Sequence, residues 1–61
     1  MQPPTVREVI RRLKSEGWVL DHTTGDHRIF RRDGKVIPVA GKESDHLDRG
    51  TYGSIRRRAG W

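Results

Sequence analysis

His27 follows the pair Gly25-Asp26 and opens the run HRIFRR. An imidazole has an unperturbed pKa of about 6.5, so it can take up or release a proton at physiological pH. Set beside arginines and a bound phosphodiester, it could remove the proton of a ribose 2′-hydroxyl, and the 2′-oxygen would then attack the adjacent phosphorus. Cationic side chains would stabilise the charge that develops on the phosphorane. Arg28, Arg31 and Lys35 are the nearest candidates for binding that phosphate. A lone histidine is a weak signal, however, and an exposed strand residue with no chemical role explains the same letters.

Two further histidines bear on this choice. His22 flanks the Thr23-Thr24-Gly25-Asp26 turn and could approach His27 across a hairpin, which would put an acid and a base in one site. A turn-flanking polar residue is the simpler account. His46 lies between Asp45 and Leu47 in a polar loop and receives no role. The three histidines and their neighbouring carboxylates match no metal-ligand spacing, so neither a metal nor any other cofactor is expected.

The arginines form three groups: Arg11-Arg12, Arg28 with Arg31-Arg32, and Arg56-Arg57-Arg58. Basic residues at several points on a small surface suit contact along a nucleic-acid backbone, although a solvated face would look the same. Trp18 and Trp61 could stack on bases, but Trp18 beside a helix stop suits a core anchor better.

The elements that must position these residues read as helix, three strands, helix. Thr5-Val6-Arg7-Glu8 is a capping box: the Thr5 hydroxyl accepts from the Glu8 amide while the Glu8 carboxylate reaches back to the Thr5 amide. Val6, Val9, Ile10 and Leu13 fall on one helical face, and Gly17 supplies a left-handed stop, so the first helix spans about 6–16. Strands are expected at about 18–22, 27–32 and 35–39, the last two joined by the hairpin signal Asp33-Gly34. Pro38 suits an edge or a strand end. After a polar loop, Tyr52, Ile55 and Ala59 mark a closing helix at about 51–59, which Gly60 stops. An antiparallel meander with both helices on one face buries both apolar stripes, giving an α+β fold. Strand alternation then puts His27, Ile29 and Arg31 on one face and Phe30 on the other. Phe30 most economically faces the core, which leaves His27 on the helix-free side.

Composition sets the limits. At 61 residues the chain is expected to be one domain, spanning 1–61, near the lower size for folding without staples. It has no cysteine, which excludes a disulfide framework and a thiolate metal site. The apolar 31% falls in periodic runs rather than being scattered, which argues against a disordered tail. No run is apolar enough to span a membrane, and Met1-Gln2-Pro3-Pro4 lacks the apolar core of a signal peptide, so a soluble cytoplasmic protein without a membrane partner is expected. The net charge of +5 points to a polyanionic partner, nucleic acid or an acidic protein. Ten of the thirteen basic residues are arginine, which pairs with phosphate in a bidentate fork.

Taken in order, Gly17-Trp18, Gly25-Asp26-His27, Ile29-Phe30, Ile37-Pro38-Val39, Gly50-Thr51, Ser54-Ile55 and Ala59-Gly60-Trp61 closely resemble the HicA family of bacterial and archaeal toxins, over nearly the whole chain. The resemblance implies a fold like that of double-stranded-RNA-binding domains. It also implies an mRNA interferase that cleaves RNA without a metal and is held inactive by a HicB-type antitoxin. Under it, His27 matches the family's catalytic histidine and Gly25 the glycine that shapes the turn. Asp26 stands where a serine is usual, Arg28 where a second histidine is frequent, and Trp61 where a leucine is common. Two other readings remain from the residues: a non-catalytic module that binds duplex RNA, and a small basic protein whose ligand is an acidic protein.

Overall fold

Four backbone N–H groups at the start of a helix have no partner within it, and the chain satisfies all four at the start of its first helix, α1 (Val6–Ser15). The computed structural model describes residues 2–61. The Val6 amide donates to the Asp45 carbonyl at 2.9 Å and the Arg7 amide to the Glu43 carbonyl at 3.0 Å. The Glu8 amide donates to Thr5 Oγ1 at 3.2 Å. In return the Thr5 amide donates to Glu8 Oε1 at 3.0 Å, which completes the capping box. Two of the four acceptors thus come from a loop far along the chain.

At the other end of α1 the Trp18 amide donates to the Leu13 carbonyl and the Gly17 amide to the Lys14 carbonyl. This 6→1 and 5→2 pair is a Schellman motif, with Gly17 at φ +92° in the position that a side chain would strain. The motif takes Trp18 out of the strand it was expected to begin and drops its indole into the core, where it is 2% exposed. Arg32 covers the ring, its guanidinium carbon 4.8 Å from the ring centroid, while its Nη1 donates to the Glu16 carbonyl at 2.7 Å.

Three antiparallel strands follow in the spatial order β1-β2-β3: β1 (Val19–Thr24), β2 (His27–Arg32) and β3 (Lys35–Ala40). β1 runs two residues further than the expected 18–22 because Asp21 is an extra residue: Leu20 pairs with Phe30, but His22 pairs with Ile29. The first turn shrinks to Gly25-Asp26, with Thr24 opposite His27. Asp33 and Gly34 both have positive φ, 51° and 78°, as a type I′ hairpin turn requires.

The closing helix, α2 (Arg49–Ala59), begins two residues before the expected Thr51. Its cap is Asp48, whose side chain accepts from the Thr51 amide at 3.2 Å. Both helices bury their stripes on one sheet face. Val6, Val9, Ile10 and Leu13 of α1 and Ile55 and Ala59 of α2 form one cluster with Phe30, Ile37 and Val39 of the sheet, and Leu47 joins it from the loop. β1 lies outside this cover; all six of its residues are exposed, Val19 at 65%. No helix among the described residues is long and apolar enough to cross a membrane.

Several carboxylates that hold these elements together titrate low. The Thr5 backbone and hydroxyl hold Glu8 below its ordinary 4.5, and the Trp61 indole N–H followed by Arg12 does the same for Glu16. Thr51 holds Asp48 below its ordinary 3.8. Each group binds its proton less readily folded than unfolded, so its contribution is full above the ordinary value and is lost as pH falls through the lower folded value. The melting temperature is therefore expected to hold steady from neutral pH down to about the ordinary carboxylate values and to fall below them. A thermal melt followed by circular dichroism across that range checks this, and a melting temperature that rose on acidification would contradict it.

Candidate active site

His27 is the first residue of β2, paired with Thr24 on one side and Ala40 on the other. The turn before it forces this position. Gly25 has φ +56°, and a Cβ there would meet nothing within 4 Å, so the glycine serves the backbone path rather than a close approach. Phe30, three residues on, is fully buried under the helices, and the pleat therefore carries His27 to the opposite face. His27 is exposed there.

That face is not free of helix, contrary to the expectation from alternation alone. β3 is an edge strand, and α2 packs along it: Arg58 Nη1 donates to the Val36 carbonyl at 3.3 Å. The helix thereby forms the far wall of a cleft of about 260 Å³ in which His27, Pro38 and Ala40 face Thr51, Ser54 and Arg58. A second cleft, of about 370 Å³, opens on the other side of His27 and shares Ala40 and Thr51 with the first. Asp26, Asp45, His46 and Asp48 also line it. The imidazole stands where the two meet, with a guanidinium and two hydroxyls on one side and carboxylates on the other.

The other residues singled out in the sequence are spread more widely. Arg28 shares the core side of the sheet with Phe30; it is half-buried, and its Nη1 donates to the Gly41 carbonyl at 3.1 Å. Arg31 is on the face of His27, but beyond Ile29, and its Nη2 lies 3.5 Å from Asp21 Oδ2. Lys35 is at the far end of the hairpin, opposite Arg32, in a shallow cleft with Arg57 and Arg58. His22 is across from Ile29, with its Nδ1 2.7 Å from Asp21 Oδ2. This contact and then Arg31 hold the Asp21 carboxyl below its ordinary value.

Neither tryptophan is a free stacking platform. Trp18 is in the core, and Trp61 is half-buried, donating from Nε1 to Glu16 Oε1 at 2.7 Å with the Arg12 guanidinium 4.0 Å from its ring centroid. The sequence reading gave Thr51 and Ser54 no role and Arg58 only a place in a basic group. They recur at i, i+3 and i+7, a polar stripe that flanks the buried Ile55 and Ala59, and that spacing was the available signal.

Among the described residues no group of three or more histidine, cysteine or acidic side chains is placed to hold a metal ion. The cleft brings an imidazole, a guanidinium side chain and two hydroxyl side chains to one concave surface. A family model described as the HicA toxin of bacterial toxin–antitoxin matches residues 6–61, from the first residue of α1 to Trp61. No curated protein matches the chain.

Proposed function

Since the chain belongs to the HicA family of toxins, it is the toxin of a toxin–antitoxin pair, and we propose that it acts as an endoribonuclease on mRNA with His27 as its general acid–base. The observation that carries this reading is the position of His27, exposed at the junction of two clefts and facing Thr51, Ser54 and Arg58. The imidazole removes the ribose 2′-hydroxyl proton, and the 2′-oxygen attacks phosphorus. Arg58 pairs with the non-bridging oxygens as their charge grows, and the Thr51 and Ser54 hydroxyls donate to the same group. Gly25 sets the backbone that presents the imidazole.

Arg31 and Lys35 follow the RNA backbone away from the cleft, and Arg28 steadies the turn at Gly41 that borders it. The work is done by side chains of the protein without a metal, and it stops when a HicB-type antitoxin covers the clefts. The toxin would then halt translation by destroying messages.

Purified protein incubated with an mRNA in the presence of a chelator tests the reading. Discrete fragments are expected. Salt-sensitive binding with intact RNA would instead favour the module that only binds duplex RNA.

A further inference from the structure

His27 lines the larger cleft together with a second histidine, His46. The loop that carries it is fastened by three backbone bonds: the Val6 amide donates to the Asp45 carbonyl and the Leu47 amide to the Pro4 carbonyl, which together make a β-bridge between Thr5 and His46, and the Arg7 amide donates to the Glu43 carbonyl. The ring itself is fixed, since its Nδ1 lies 2.7 Å from the Pro3 carbonyl. A carbonyl can only accept, so Nδ1 carries a proton and Nε2 is left to exchange one with whatever enters the cleft. The side chain is exposed, and the cleft's volume of about 370 Å³ falls in the range of small-ligand sites, about 300–1,000 Å³. Asp26, Asp45 and Asp48 line the same cleft, and the Glu8 carboxylate on α1, held low first by Thr5, is also attracted to His46.

Cleavage by the 2′-oxygen needs two proton transfers. As the O2′–P bond forms, a proton leaves O2′, and as the P–O5′ bond breaks, one must reach O5′. In-line departure puts the two oxygens on opposite sides of phosphorus, beyond the reach of one imidazole at one moment. We propose that His46 is the second proton-transfer group: His27 takes the proton from O2′ and the His46 imidazolium delivers one from Nε2 to O5′. The products are a 2′,3′-cyclic phosphate and a 5′-hydroxyl. This rests on the nuclease reading given above and adds a residue and a division of labour to it.

The test uses two oligoribonucleotides that differ only in the bridging atom of the scissile bond, oxygen or sulfur. A thiolate leaves without being protonated, so the sulfur substrate does not need the acid. The informative variant is His46→Asn, whose amide nitrogen can keep the bond to the Pro3 carbonyl but cannot transfer a proton at neutral pH. Cleavage of the oxygen substrate is expected to fall about 10²-fold or more, and that of the sulfur substrate to stay within about threefold of wild type. His27→Ala is expected to be slow on both. Normal cleavage of the oxygen substrate by His46→Asn, or an equal loss on both substrates, overturns the inference while leaving the nuclease reading in place. Failure of the wild type to cut either substrate removes the nuclease reading and this inference with it.

Discussion

Alanine in place of His27 is expected to slow RNA cleavage by about 10²–10⁴-fold, the usual contribution of a positioned acid or base, and to relieve growth arrest on expression. The fold should not change. His27 is exposed, and substitutions on an exposed surface usually move stability by about 0.5 kcal/mol or less. The variant should therefore melt like the wild type and still bind RNA, because Arg58, Arg31 and Lys35 remain. Growth curves, a cleavage time course and a thermal melt on the same preparations check all three statements. A variant that remains equally toxic and cuts at the same rate would end the assignment of His27.

Phe30→Ala should fail for the opposite reason. Phe30 sits in the central strand, fully buried in the core it shares with α1 and α2, and it is the only phenylalanine in the chain. Truncating a buried phenylalanine costs about 3–5 kcal/mol. At roughly 0.05–0.15 kcal/mol per residue, 61 residues yield about 3–9 kcal/mol in total. The loss takes most of that sum, and no disulfide makes up the difference. Far-ultraviolet circular dichroism should show a largely unfolded chain at 37 °C or a melting temperature lowered by tens of degrees. The two variants together separate chemistry from scaffold: one is inactive and folded, the other inactive because it is not.

How far the letters alone led differs from element to element. α1 was legible in full because its signals are local: a capping box, a stripe at i, i+3, i+4 and i+7, and a glycine stop. The Asp33-Gly34 turn was legible for the same reason. Trp18 was read as the start of a strand because aromatic residues favour strands, but the Schellman motif claims its amide first. The bulge at Asp21 leaves no mark in sequence, since it exists only relative to the opposite strand. The start of α2 was obscured by Gly50 and by the lack of a glutamate partner for the Asp48 cap.

The site follows the same division. His27 stood out from its neighbours mainly through the family resemblance, and its outward direction followed from the burial of Phe30. That α2 would border the same face could not be read, because it depends on the helix packing along the open edge of β3. His46 was passed over because its loop has no periodicity. The partners that fix that loop, Pro3, Pro4, Thr5, Val6 and Arg7, lie some forty residues earlier.

That fastening has a consequence for how long the cleft stays assembled. Apart from Leu47, the loop contributes little to the core, and it is held to the start of α1 by hydrogen bonds near the surface. Such regions open at a lower free energy than the core does, without global unfolding. When the loop lifts, His46 leaves the cleft and the Val6 and Arg7 amides are exposed to water together. Amide hydrogen exchange at those two positions thus reports on the wall of the cleft, to which Val6 contributes and Arg7 does not. The cleft has the lifetime of a tether, and His27 that of the sheet beneath it.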